Sequence, residues 1–101
     1  MSHEPKKITY GEILRIYRIA MDLSITDMAE KTGISKSYIT EIERGKRNNP
    51  TEMVIKKYSL VTGGPEDIIQ STVLKYVGRN LTYQKLLVII LRQVIGGGTR
   101  A

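Results

Sequence analysis

Residues able to carry covalent or acid–base chemistry are sparse in this 101-residue chain. It has no Cys, which removes thiolate chemistry, disulfides and cysteine-ligated zinc. The one histidine, His3, stands near the start of the chain without a neighbour that would make it a catalytic or metal-binding group. No Gly-rich phosphate loop sits between a strand and a helix, and no carboxylates cluster at a spacing that suggests paired acid and base. Catalysis is therefore not expected, and no cofactor or metal is implied. What remains is binding chemistry, and the stretch Ser24 to Gly45, S-I-T-D-M-A-E-K-T-G-I-S-K-S-Y-I-T-E-I-E-R-G, is organised for it.

That stretch reads as two short helices joined by a tight turn. Ser24 and Asp27 have the three-residue spacing of a capping box, in which the hydroxyl accepts an amide and the acid folds back to the cap. The first helix should start at about Ile25. Gly33 then supplies a left-handed turn residue that any Cβ would penalise. Ser35 caps the second helix, and Ile39 and Ile42 are spaced to face inward with Met28, Ala29 and Ile34. Ala29 is small where two steeply crossing helices approach most closely. No Pro interrupts Ile25 to Arg44, and Gly45 ends the second helix.

These residues resemble the helix-turn-helix of the lambda-repressor and Cro family, often called Xre-type regulators. The resemblance covers Leu14 to Gly63, with Ala29, Gly33, Ile39 and Ile42 at the small, turn and core positions and Ile42-Glu43-Arg44-Gly45-Lys46 as the usual close of the second helix. It implies an all-α, five-helix DNA-binding domain. It also implies that the exposed positions Lys36, Ser37, Thr40 and Glu41 contact bases. Each is able to: Lys36 can donate to guanine O6 and N7, Ser37 can donate or accept, Thr40 can touch a thymine methyl, and Glu41 can accept from cytosine N4. Phosphate contacts map to Ser35, Tyr38, Lys46, Arg47 and Asn48, although the Tyr38 ring could instead pack on the first helix. Arg18, which interrupts an apolar stripe, is implied to form a partly buried ion pair with Glu43. One departure is Ile25, where the family commonly has a phosphate-anchoring Gln.

The rest of the chain suits this reading. A net charge of +6 and a pI near 9.7 fit a polyanionic partner. With 41% hydrophobic residues but no Phe or Trp, the core must come from aliphatic residues, Met and six Tyr. The first residues lack an apolar signal-peptide segment, so a cytoplasmic, bacterial or phage-encoded setting is expected. Residues 1–8 read as a flexible arm. Thr9 caps a helix from about Tyr10 to Asp22 with the stripe Ile13, Leu14, Tyr17 and Met21. Thr51 caps another to Thr62, with Ile55, Tyr58 and Thr62 inward and Val54 and Val61 beside them; Lys56 and Leu60 break the pattern. Pro65 suits the first position of a fifth helix, whose apolar side would be Ile68, Ile69, Val73, Tyr76 and Val77 before Gly78. These elements place the DNA-binding domain at residues 9–78.

Residues 79–95 read as an added dimerisation segment, and residues 96–101 as a disordered tail. The run from Leu86 to Leu91 is apolar on nearly all sides. A helix of about 13 residues would be roughly 20 Å long, short of the ~30 Å bilayer core. Such a segment must be buried between surfaces, and a small domain has little interior. Leu86, Leu87, Ile89, Ile90, Leu91 and Val94 are accordingly expected at a homodimer interface, as a helix capped by Thr82 or as a paired strand. Completion of the monomer core is the alternative. The expected function is a dimeric, sequence-specific transcriptional regulator of double-stranded DNA, a repressor reading a palindromic operator. The rival readings are an antitoxin-type protein that binds a toxin and its own promoter, and a helix-turn-helix used only as a protein-binding adaptor.

Overall fold

The structure, a computed structural model, describes residues 6–46 and 51–93. Six helices are present among them: α1 (Tyr10–Ala20), α2 (Ile25–Thr32), α3 (Lys36–Glu43), α4 (Glu52–Thr62), α5 (Glu66–Tyr76) and α6 (Tyr83–Leu91). Side-chain caps start most of them. Thr9 accepts from the Glu12 amide while Glu12 returns to the Thr9 amide, and Ser24 and Asp27 form the same reciprocal box. Ser35, Thr51 and Thr82 accept from Tyr38, Val54 and Lys85 amides. Pro65 is the N-cap of α5 rather than its first residue, and it has no side-chain hydrogen bond to offer.

The helices close around Ile13, Leu14, Ile16 and Tyr17 of α1, Met28, Ile39, Ile42, Val54, Ile55, Tyr58, Ile69 and Val73. Met21 departs from its expected place on the α1 stripe. The helix stops at Ala20, the chain turns through Asp22 at φ 58°, and Met21 is left 40% exposed. On α5 the inward face is Ile69, Thr72 and Val73, so Ile68 and Val77 are exposed and Tyr76 is half-buried. A polar network explains the rotation. Thr72 donates to the Ile68 carbonyl and meets both the Tyr17 hydroxyl, at 3.2 Å, and the Gln93 amide. Burial raises the Tyr17 pKa above the usual phenol value, with the Thr72 contact opposing it.

The last segment is helical, and it belongs to the same core. α6 packs on α1, with Leu86 and Ile90 at zero exposure. Those two residues, expected at a dimer interface, are instead enclosed within one chain. Leu87, Ile89 and Leu91 are half-buried and Val88 is exposed; Val94 lies outside the described residues. The beginning of the described chain is also more ordered than a flexible arm. β1 (Lys6–Lys7) pairs antiparallel with β2 (Asn80–Leu81), in the register Lys6 to Leu81 and Lys7 to Asn80. Ile8 is buried beside them and bonds through its backbone to Arg79 and Gly78. Among the described residues, no helix is long and apolar enough to cross a membrane.

Candidate nucleic-acid interface

The turn between α2 and α3 is held from several directions. Gly33 is left-handed at φ 79° and its amide returns to the Ala29 carbonyl. Thr32 donates to the Met28 carbonyl at 2.7 Å and accepts from the Ile34 amide at 3.1 Å. Lys57 of α4 reaches the Thr32 carbonyl at 2.9 Å, placing a cation at the negative end of α2. Asp27 at the opposite end is acidified by the Ser24 backbone amide first and the Ser24 hydroxyl second.

Helix α3 is divided lengthwise. Ile39, Ile42 and Glu43 face the interior, whereas Lys36 and Ser37 are exposed and Thr40 and Glu41 are half-exposed on the other side. The Lys36 ammonium lies 3.4 Å from the Thr26 hydroxyl, so it spans from α3 to the first turn of α2. Ser35 and Lys46 are exposed at the two ends of the helix. Tyr38 is half-buried with its side chain against the core. Arg47 and Asn48 lie outside the described residues.

What fixes α3 in this attitude is a buried charge cluster beneath it. Arg18 donates from Nε and Nη2 to the two oxygens of Glu43, at 2.9 and 2.8 Å, and from Nη1 to the Leu23 carbonyl at 2.6 Å. Tyr58 adds a hydroxyl to Glu43 Oε2 at 2.7 Å. The group ties α3 to three other parts of the chain: α1 through Arg18, α4 through Tyr58 and, by way of Arg18, the link before α2. The Glu43 hydrogen bond raises the Arg18 pKa further, and burial drives that of Tyr58 far above the ordinary phenol value.

Gly11 completes the support. A Cβ built on it would stand 1.8 Å from the Ile42 carbonyl oxygen, so α1 and the end of α3 touch backbone to backbone. Neither Gly11 nor the Tyr58 hydroxyl was marked by the apolar periodicity. The available signals were a glycine inside an otherwise uninterrupted helix and a tyrosine at a position that packing alone would fill with Phe.

A helix-turn-helix carried on a small, mostly helical body, with its second helix half in the core and half facing out, defines the lambda-repressor and Cro-like class. The chain belongs to this helix-turn-helix family, whose pattern matches residues 14–69. It is 45% identical over 49 residues to the HTH-type transcriptional regulator SlrR of Bacillus subtilis (strain 168), covering 48% of this chain and 32% of SlrR. It is 37% identical over 51 residues to the HTH-type transcriptional regulator SinR of the same organism, covering 50% of this chain and 46% of SinR. The matched part thus spans a third to a half of these curated relatives. A crystal structure of SinR, the master regulator for biofilm formation, in complex with DNA superposes with a TM-score of 0.57 at 31% identity, covering 61% of this chain and 98% of that one.

Proposed function

We propose that this protein is a sequence-specific, double-stranded DNA-binding transcriptional regulator that sets α3 in the major groove. The observation that carries the reading is the division of α3. Its inner face is locked by Arg18, Glu43 and Tyr58, while Lys36, Ser37, Thr40 and Glu41 stand on the other. A helix held this way presents side chains to base edges without spending binding energy on ordering them. The resemblance to SinR, crystallised with DNA, supports the same use of the motif. In this reading Lys36, Ser37, Thr40 and Glu41 contact bases. Ser35, Tyr38, Lys46, Arg47 and Asn48 hold phosphates.

One such domain touches little DNA, so two copies binding half-sites about 34 Å apart, on a palindromic operator, are the expected working form. The apolar flank of α6 suits their contact: Val88 is 46% exposed, and with Ile89 it lines a depression of about 370 Å³. The regulatory sense proposed is repression in the cytoplasm, through occlusion of the DNA the protein covers. Selection of bound fragments from a random duplex pool tests the reading. Recovery of a two-fold symmetric sequence is expected, and recovery of no enriched sequence would overturn it.

A further inference from the structure

Beside α3 runs an open groove of about 730 Å³, whose far wall is α1. The α3 side is lined by Thr40, Arg44 and Lys46, and the α1 side by Glu12 and Arg15, with Lys7 of β1 contributing from the paired strand. Its charge is lopsided. Arg18 and Glu43 also line it, but they neutralise each other. Lys7, Arg15, Arg44 and Lys46 are all exposed, and the one remaining acid among the lining residues, Glu12, hydrogen-bonds the Thr9 amide at 2.9 Å.

Arg15 does not dangle freely in this groove. Its guanidinium carbon stands 5.4 Å from the centre of the Tyr83 ring, a cation–π placement that orients the group without cancelling its charge. Lys7 is placed by a different device, the backbone pairing of β1 with β2. Two cations on elements outside the helix-turn-helix are thereby held opposite the cations that follow α3.

We infer that this groove receives the sugar-phosphate backbone of the same duplex that α3 reads, with Lys7 and Arg15 as phosphate contacts outside the motif. The inference rests on the proposed DNA-binding function and extends it from the motif to the α1 side of the domain. The occupant follows from continuity: Thr40, proposed to contact a base, and Lys46, proposed to hold a phosphate, are also walls of the groove. A strand passing α3 therefore runs directly past the cations of α1 and β1. Nothing about Lys7 or Arg15 selects a base, so their effect is the same for every sequence.

The test is a salt titration of binding to the selected duplex and to a mixed-sequence duplex, using the full chain, Lys7→Gln, Arg15→Gln, the double variant, and Lys75→Gln as a charge-matched control outside the groove. Removing one cation from a phosphate lowers the slope of log affinity against log salt by about 0.9, which at 0.15 M salt corresponds to an affinity loss of about five-fold. The double variant is expected to lose about 1.8 units of slope and about thirty-fold in affinity on both duplexes, with an unchanged thermal midpoint and with Lys75→Gln close to the unaltered chain. Slopes unaltered by Lys7→Gln and Arg15→Gln would overturn the groove assignment while leaving the motif reading intact. An equal effect of Lys75→Gln would overturn it as well, because net charge alone would then account for the loss. If the unaltered chain binds neither duplex, the DNA-binding function itself fails.

Discussion

The Arg18 guanidinium grips the Glu43 carboxylate at two points across the α1–α3 contact, and the Tyr58 hydroxyl occupies a further position on the same carboxylate. With the two charged side chains only 8% and 3% exposed, removing one strands the other away from water. Arg18→Ala or Glu43→Ala should cost about 3 to 5 kcal/mol. Tyr58→Phe removes one hydrogen bond to a charged acceptor and should cost about 1.5 to 3 kcal/mol. Urea unfolding of the three variants checks this. Losses below about 1 kcal/mol for Arg18→Ala would mean that the pair behaves as a solvated surface bridge.

Gly11 makes a sharper prediction, because its neighbour is backbone and cannot rotate away. An added methyl would overlap the Ile42 carbonyl oxygen, so Gly11→Ala must push α1 off α3. The expected cost is about 3 kcal/mol, at the top of the usual overpacking range. Gly33→Ala is a useful contrast. It has open space around it and only a left-handed backbone to strain, so about 1 to 2 kcal/mol is expected. Equal midpoints for the two variants in chemical denaturation would contradict the close approach.

Acid should weaken the start of α2. The Asp27 pKa is depressed below its ordinary 3.8 by the Ser24 amide and then the Ser24 hydroxyl, so the folded state holds this group ionised more strongly than the unfolded chain does. A depressed carboxyl contributes stability that is present above pH 3.8 and fades as pH falls through the lower folded value. Asp27→Asn should flatten that part of the stability profile and leave the profile at neutral pH nearly parallel to the original. An unaltered acid limb, followed by circular dichroism, would remove Asp27 from the account.

The reading face gives separable effects. Lys36→Ala and Glu41→Ala should each relax base preference at one position, by about 1 to 3 kcal/mol of discrimination. Lys46→Ala should instead weaken all duplexes alike and reduce the salt slope by about one unit. Fragment selection and salt titration distinguish the two patterns. Identical sequence preferences for Lys36→Ala, Glu41→Ala and the unaltered chain would count against α3 as the reader.

Much of this was legible locally. Ser24 with Asp27, Gly33, Ser35, Thr51, Gly63 and Thr82 carry their conformational requirements within three or four residues, and the helix ends fall where those residues put them. The inward Ile39 and Ile42 followed from their spacing, whereas Lys36, Ser37, Thr40 and Glu41 as the outward set came from the resemblance to the lambda-repressor and Cro family. What local pattern could not supply was long-range pairing. Nothing near Lys6 announces a partner at Leu81, and nothing near Gly11 announces the Ile42 carbonyl. Thr72 carries no local sign of burial, because the groups its hydroxyl meets, Tyr17 and Gln93, come from distant parts of the chain. Leu86 to Leu91 could be identified as apolar, but which of its faces meets α1 is a property of the assembled core.

That last distinction separates two substitutions on the same helix. Ile90 has zero exposure and packs within the chain, so Ile90→Glu buries an unpaired charge and should destabilise the domain by about 4 kcal/mol or more. Val88, two residues earlier, is 46% exposed, and Val88→Glu should alter the stability of an isolated chain by only about 0.5 kcal/mol. If the exposed flank of α6 joins two copies, however, Val88→Glu places like charges across the contact and should give a sedimentation mass of one chain, with weakened binding to the two-fold site and retained helical content. A persistent two-chain mass for Val88→Glu would remove this flank from the dimer contact, and a one-chain mass for the unaltered protein at binding concentrations would remove the contact altogether.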